Sequence, residues 1–141
     1  MASEAIARAV TDFFAAQWAA GGHTETVGYE NVKVDPVTSA AYLELEVWDG
    51  LAVKASVGVS PQLRRSSGTV FVTVNTPQLQ ATSQPRQLCD SIATIFRDVQ
   101  LATTSPTGTV TFQEPSVSRL GKVGVQFQMK VAVPFLHEYY I

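Results

Sequence analysis

The 141-residue sequence contains a single cysteine, Cys89, and only two histidines, His23 and His137. One cysteine excludes an intramolecular disulfide, so we expect a protein of a reducing compartment or a thiol that is buried. Neither H-x-x-x-H, C-x-x-C nor H-E-x-x-H spacing occurs, and two histidines flanking one cysteine at long range do not make a metal-ligand set. The sequence therefore predicts neither a metal site nor a cofactor.

Charged residues are also scarce, at 16% of the chain, and 10 Lys and Arg against 12 Asp and Glu give a formal net charge of −2. This balance excludes a global positive field that would attract DNA or an anionic membrane. No run approaches the roughly 18 consecutive apolar residues of a membrane helix, and acidic Glu4 stands where a signal peptide would carry basic residues. We expect neither a membrane protein nor a secreted one.

Hydrophobic residues, by contrast, make up 45% of the chain. A chain of this length can bury roughly 70% of the surface that it exposes when unfolded, which is enough for one core. We see no internal repeat and no low-complexity linker. The sequence therefore predicts a single domain over residues 1–141.

The first helix is predicted from Ser3 to about Ala20. Apolar residues recur there at steps of three and four, which lines one face of a helix. These residues are Ile6, Val10, Phe13, Phe14 and Trp18. Ser3 is a suitable cap for its start, and Gly21-Gly22 for its end.

A second helix is predicted from Ser83, its cap, to between Asp98 and Leu101. Pro85 falls in the first turn, where a missing amide hydrogen costs least. The residues of its predicted buried face are Leu88, Ile92, Ile95, Phe96 and Val99. Cys89 lies beside this face, so we expect it to pack as a small apolar residue rather than to act as a nucleophile.

The segment between the helices predicts several strands. "TVGYENVKV" indicates a short strand that Asp35-Pro36 interrupts, and "AYLELEVWDGLAVKASVGV" indicates a hairpin. A two-residue turn at Asp49-Gly50 would mix polar and apolar residues on each face. We therefore prefer a three-residue loop over Trp48, Asp49 and Gly50, which pairs Leu45 with Val53 and Glu44 with Lys54.

The remaining strands are predicted by alternation with a period of two. One runs from about Thr69 to Asn75, and two more, "TGTVTFQEPSV" and "KVGVQFQMKVAVPF", flank a turn at Leu120-Gly121. Two helices with about five to six strands and hairpin-like connections predict an α+β fold. We expect the two helices to pack on one face of a largely antiparallel, mixed β-sheet.

Glu44 and Glu46 project from one strand face and form a candidate carboxylate pair for acid-base work or a hard metal ion. The simpler interpretation is a solvated strand face, with Lys54 as the cross-strand partner of Glu44. We favour the simpler interpretation and predict no catalytic residue. Both glutamates remain candidates for a protein interface.

The tandem Arg64-Arg65, followed by Ser66, Ser67 and Gly68, is the other candidate site. The pattern predicts a flexible loop that leads into the strand at Thr69. We rank a solvated loop first, a protein interface second and nucleic-acid contact third, because basic residues elsewhere are scattered among acidic ones rather than arranged in a stripe.

The order of several short motifs resembles that of the tail terminator and tail-completion proteins of long-tailed bacteriophages. The motifs are "YENVKVDPVTSAAYLELEV" at 29–47, "RRSSGTVFVTVNTP" at 64–77 and "KVAVPF" at 130–135, with the second predicted helix between the last two. In that family a similar aromatic-Glu-Asn stretch, a paired arginine and a strand ending near proline follow an amino-terminal helix. Each motif is short, so the resemblance depends on their order and spacing across nearly the whole chain.

This resemblance implies a non-enzymatic ring, usually of six subunits, that caps the tail tube, ends its polymerisation and offers a surface for joining the head. It implies a tail tube protein and a head–tail connector protein as partners, and DNA that only passes through the lumen. It also implies a place at the head-proximal end of the virion tail, after assembly in the host cytoplasm. The alternative hypothesis is a monomeric binding module that contacts nucleic acid or another anion through Arg64 and Arg65.

Overall fold

The computed structural model describes residues 2–29, 41–54, 62–77, 83–104, 106–123 and 126–141. These residues form two helices and seven strands. In chain order they are α1 (Ala2–Ala20), β1 (Thr26–Tyr29), β2 (Tyr42–Lys54), β3 (Leu63–Pro77), α2 (Ser83–Phe96), β4 (Gln100–Thr104), β5 (Thr107–Phe112), β6 (Ser116–Val123) and β7 (Gln126–Tyr140).

The strands form one mixed sheet in the order β1-β2-β3-β7-β5-β4, and β6 pairs with the first half of β7. β1 runs parallel to β2, and every other pairing is antiparallel. This architecture confirms the predicted α+β fold. The predicted break at Asp35-Pro36 lies outside the described residues.

Both helices bury their apolar faces against the inner face of the sheet. Alternation along the strands places one set of valines and aromatic residues on that face, and each member is nearly inaccessible to solvent. The set includes Val70, Val72 and Val74 of β3 and Met129, Val131, Val133 and Phe135 of β7. The helices meet through stacked rings of Phe14 and Phe96, whose centroids are 5.7 Å apart.

The first helix ends where the glycine pair predicts. Gly22 has φ 76°, and the amide of His23 donates to the carbonyl of Trp18 while that of Gly22 donates to Ala19. These two bonds form a Schellman cap, in which glycine takes the left-handed conformation at little cost. The prediction of Ser3 as the cap at the other end is wrong. The helix begins at Ala2, and the Ser3 hydroxyl donates instead to the carboxylate of Asp49 at 2.7 Å.

The second helix confirms the predicted start at Ser83, with Pro85 in the first turn. It ends at Phe96, two residues before the predicted range, and Asp98 follows with φ 57°. Cys89 is fully buried in the core, as predicted. Burial, together with the neighbouring Asp90 carboxylate, raises the pKa of its thiol to about 11, so the nucleophilic thiolate is scarcely populated at neutral pH.

The predicted hairpin at Asp49-Gly50 is wrong, because β2 continues through it as a single strand. Leu45 pairs with Val72 of β3 rather than with Val53, and the extra residue is absorbed by a bulge between Asp49 and Ala52. A Cβ atom at Gly50 would collide with the backbone carbonyl of Ser67. Glycine here permits two strands to approach closely, whereas the sequence pattern indicated a turn.

The predicted turn at Leu120-Gly121 is wrong for the same reason. Gly121 has φ 90°, and it lies in a bulge inside β6, which pairs with β7 on both sides of it. The single strand predicted over "TGTVTFQEPSV" is two strands, β5 and β6, that pair with opposite halves of β7. β4 was not predicted, because its sequence QLATT lacks an apolar alternation.

The longest strands extend beyond the helices. The 15 residues of β3 and of β7 span about 50 Å, whereas the 19-residue α1 spans about 28 Å. Residues 48–54 of β2, in the half of the strand farther from β1, are all exposed. That half carries much of the surface considered next.

Candidate assembly interface

Arg64, Arg65, Ser66 and Ser67 lie in the first half of β3 and not in a loop, so the loop prediction is wrong. Their backbones pair with β2 on one side and β7 on the other. Glycine is depleted in strands, but a central position supplies hydrogen bonds along both edges of this segment. The segment is therefore a fixed part of the sheet rather than a flexible lead into it.

The strand alternation sends the two arginines to opposite faces of the sheet. Arg65 is on the helix-free face, where its Nη2 lies 2.9 Å from Oε2 of Glu138, its partner on β7. Both side chains are about two-fifths exposed, so the pair contributes under about 1 kcal/mol to stability. The ion pair does, however, neutralise the arginine that the sequence offered as a phosphate contact.

Arg64 and Ser66 are on the inner face, opposite Tyr139 and His137 of β7. Three buried polar atoms here have no hydrogen-bond partner among the described residues: Nε of Arg64, Oγ of Ser66 and Nδ1 of His137. A half-buried guanidinium on the inner face is poorly placed to reach a nucleic-acid backbone. The two arginines thus do not form a joint anion site.

His137 is fully buried, and its Nε2 lies 3.1 Å from Oγ1 of Thr103 on β4. The Thr103 hydroxyl donates to the carbonyl of Pro106 at 3.0 Å, so it accepts from the ring N–H. This assigns the hydrogen to Nε2 and leaves Nδ1 as the acceptor without a partner. Burial lowers the pKa of His137, which favours the neutral ring.

Glu44 and Glu46 share the helix-free face, as predicted, but they have separate partners. Glu44 accepts a 3.2 Å hydrogen bond from Asn75, which in turn accepts a 2.6 Å bond from Gln128, so the network crosses three strands. Glu46 accepts from the indole N–H of Trp48 at 2.8 Å. The arrangement does not resemble a shared metal or acid-base site, and no cluster of three or more candidate ligands occurs within the described ranges.

The prediction of Lys54 as the partner of Glu44 is wrong. Lys54 is opposite Arg64, at the far end of β2, and Glu44 is opposite Thr73. Thr73 and Arg65 are eight positions apart on β3, about 26 Å of strand. The structure therefore does not bring the candidate arginines and glutamates together.

Between these two groups, the helix-free face carries an aromatic patch that sequence reasoning missed. The Trp48 and Phe71 rings meet edge to face with centroids 5.8 Å apart, and Nζ of Lys130 lies 4.5 Å from the Phe71 centroid. Trp48 is 60% exposed. Aromatic residues beside a cation are typical of protein interfaces, and only the true pairing of β2 with β3 makes this patch visible.

Two described pockets flank the helices, and neither suggests catalysis. One, of about 350 Å³, lies between α1 and β4 and is lined by Glu4, Arg8 and Asp12 on the helix side, where Arg8 pairs with Glu4. The other, of about 560 Å³, lies near His23 and Asp90. Among the described helices, none is long and apolar enough to cross a membrane.

Comparison with known proteins gives one family and one fold. The family model described as phage tail terminator protein matches residues 5–135. Ten chains of solved structures also match, and one of them superposes with a TM-score of 0.73 over 100% of this chain and 99% of that chain, at 15% sequence identity. At this identity the likeness shows the fold alone. No curated protein sequence matches the chain.

Proposed function

The chain belongs to the phage tail terminator family, and we propose on this basis that it forms a ring, of six subunits, that caps the phage tail tube. The ring ends polymerisation of the tube and provides the surface to which the head is joined. The observation that carries this proposal is the family match over residues 5–135, nearly the whole chain. Membership gives the protein a structural role in phage tail assembly.

The proposed role is non-enzymatic. The nucleophile candidate, Cys89, is fully buried, and its raised pKa keeps the thiol protonated. The carboxylates Glu44 and Glu46 are held by different hydrogen-bond donors, so neither is poised beside the other. These observations favour a protein that acts through its surfaces.

The proposed partners follow from a place at the end of a tube. One face of the ring contacts the tail tube protein and the other contacts the head–tail connector protein. DNA passes through the lumen, and the net charge of −2 suits this passage because a strongly basic lumen would bind phosphates. The protein is thus a component of the head-proximal end of the virion tail, assembled in the host cytoplasm.

We include the exposed members of the predicted interface in this proposal. Arg65, Ser67 and Glu46 are exposed on the helix-free face, where a neighbouring protein can reach them. Glu44 is partly buried on the same face, whereas Arg64 and Ser66 are partly buried on the face toward the helices. Arginine contributes to protein interfaces through paired bonds to carboxylates and carbonyls, which fits Arg65 better than phosphate binding does.

The test is mass measurement in solution across a concentration series, combined with negative-stain imaging of the protein alone and with purified tail tubes. We expect a shift from monomer to a six-subunit mass, ring-shaped particles, and tubes that stop growing at a capped end. A monomer at every concentration that also leaves tube growth unchanged would overturn the proposal.

A further inference from the structure

Exposed apolar side chains are concentrated on two strands. The described residues include seven large apolar side chains that are exposed, and five of them lie on β2 and β6. These five are Trp48, Leu51, Val53, Val117 and Leu120, with exposures of 42% to 75%. Clustering of this kind marks an interaction surface, whereas single exposed apolar residues are ordinary.

Within the described residues, parts of both strands are also free edges of the sheet. β1 pairs with β2 only from Tyr42 to Leu45, and no described strand lies outside residues 48–54, which we term the β2 edge. β6 pairs only with β7 within the described chain, so residues 116–123 form a second free edge, the β6 edge. Each presents backbone N–H and C=O groups that another strand can pair with.

The two edges differ in charge, and acidic residues lie only at one end of the β2 edge. The β2 edge carries Asp49, with Glu46 just before it and Lys54 only at its end. The β6 edge carries Arg119 and Lys122 and no acidic residue. Complementary charges at the ends of an apolar strip fix which surface meets which, although each pair adds little to affinity.

The two edges lie on opposite sides of one sheet, in the order β2-β3-β7-β6. Each strand is antiparallel to the next, so β6 is antiparallel to β2. A rotation about a ring axis to which the strands are inclined brings the β6 edge of one copy against the β2 edge of the next, with the two strands antiparallel. Contacts of this head-to-tail type form a ring when the rotation from copy to copy closes.

We propose that the β2 edge of one subunit pairs with the β6 edge of the next, as an added antiparallel strand that continues the sheet from subunit to subunit. This proposal deepens the ring proposed above and rests on it. The occupant of each edge is a second copy of this chain, because both edges carry exposed apolar side chains and the acidic end of the β2 edge, Glu46 and Asp49, is opposite in charge to Arg119 and Lys122 of the β6 edge. Trp48 and Val53 on the helix-free face, and Val117 on the face toward the helices, then become covered by the neighbouring strand.

This pairing requires a shift of the neighbour along the strand direction. β6 is level with residues 126–132 of β7, whereas the β2 edge is level with residues 134–139. The difference is about seven residues, or roughly 25 Å. Strands tilted relative to the ring axis produce a stagger of this kind, as in any closed sheet.

β4 is the competing partner, since it is a free edge level with the β2 edge in the described sheet. Its exposed residues are Gln100, Ala102 and Thr104, and it has no exposed large apolar side chain. It also lacks charged residues to match those of β2. The observations therefore favour β6, and β4 provides the matched control.

Disulfide trapping tests the pairing in a Cys89→Ala background, where only introduced thiols remain. Leu51→Cys or Val53→Cys is combined with each of Val117→Cys, Ser118→Cys and Leu120→Cys, because a pair must bring Cα atoms within about 7 Å to link. On oxidation we expect at least one combination to give a ladder of covalent oligomers up to the closed ring. Each single-cysteine variant stays monomeric on a denaturing gel, because a head-to-tail contact never brings two copies of one position together.

The outcomes separate this proposal from the ring itself. If mass measurement and imaging show rings but none of the six combinations gives a ladder, the proposed edge pairing is wrong and the proposed ring is still supported. Covalent dimers from a single-cysteine variant would overturn the edge pairing in favour of a two-fold contact. A ladder from Leu51→Cys with Ala102→Cys would overturn it in favour of pairing with β4. Absence of rings from the parent protein would overturn both.

A mixing experiment tests the same pairing without cross-linking. Lysine on an edge strand discourages pairing, so Leu51→Lys with Val53→Lys blocks the β2 edge and Val117→Lys with Leu120→Lys blocks the β6 edge. We expect each variant to melt as a folded monomer and the equimolar mixture to give a dimer that grows no further, since one pair of intact edges remains. Rings from either variant alone would overturn the proposal.

Discussion

The imidazole of His137 lies 3.1 Å from the hydroxyl of Thr103, and this contact links the last strand, β7, to the outermost strand, β4, through the interior. Both residues are buried, and the hydroxyl donates onward to the carbonyl of Pro106. The ring is thereby held neutral with its hydrogen on Nε2. A buried neutral histidine couples the stability of this corner of the sheet to pH.

We expect stability to fall as the pH drops below the ordinary histidine value of 6.5. The folded-state pKa of His137 is lowered by burial, so the unfolded chain takes up the proton first and acid favours unfolding. The free energy of unfolding should decrease by up to about 1.4 kcal/mol per pH unit below this point. Urea denaturation between pH 5 and 7.5 measures the loss.

The two histidines provide a matched pair of variants for this test. His137→Leu combined with Thr103→Val removes both partners and should flatten the profile in this window. His23→Gln alters the histidine that stacks on Trp18, with centroids 3.9 Å apart, and it should retain the loss of stability in acid that His137 causes. A profile that flattens only in the His23 variant would contradict the assignment.

The stacked rings of Phe14 and Phe96 hold the two helices together. Phe14 is fully buried, so Phe14→Ala should lower the free energy of unfolding by about 3–5 kcal/mol through lost burial and the cavity left behind. Phe71→Ala is the control. Phe71 is half-buried on the helix-free face, so its substitution should lower the free energy of unfolding by less. Denaturant titration of both variants measures the two losses of unfolding free energy. Equal losses would mean that the contact between the helices is not part of the main core.

The glycines give a prediction about close packing between strands. A Cβ atom at Gly68 would lie 2.5 Å from Cζ of Phe135 and would also meet the carbonyl of Trp48. At Gly22, with φ 76°, no atom lies within 4 Å, so alanine there costs only the strain of about 1–2 kcal/mol. Gly68→Ala should therefore destabilise the protein more than Gly22→Ala in thermal or urea unfolding. The reverse order would mean that β2, β3 and β7 are not packed as described.

Local sequence patterns predicted the elements that local interactions determine. The 3.6-residue period predicted α1 and α2, the glycine pair predicted the end of α1, and the alternation of valines predicted the buried face of β3. The burial of Cys89 followed from its place on the helix. These features depend on residues close to one another in the chain.

The errors arose where a distant strand decides the local conformation. Asp49-Gly50 and Leu120-Gly121 have the composition of turns, but each is a bulge because β3 or β7 pairs on both sides of it. Arg64 to Gly68 resembles a loop for the same reason, and it is a central strand. The sequence alternation was enough to predict that Glu44 and Glu46 share one face of the sheet. The exposed edges that carry Leu51 and Leu120 could not be predicted, because their exposure depends on the order of the strands in the sheet.

The ion pair between Arg65 and Glu138 separates the assembly hypothesis from nucleic-acid binding. If Arg65 bound phosphates, Glu138→Gln would release it and strengthen DNA binding, and Arg65→Ala would abolish a salt-sensitive affinity. We expect instead that neither variant changes DNA retention by more than about twofold, while Arg64→Ala with Arg65→Ala reduces ring formation or tube capping. Fluorescence anisotropy with labelled DNA at two salt concentrations measures the first effect, and solution mass measures the second. If Glu138→Gln binds DNA more strongly and the double alanine variant still assembles, the nucleic-acid module is favoured. The reason is that the Glu138 carboxylate weakens DNA binding only if Arg65 contacts the phosphates.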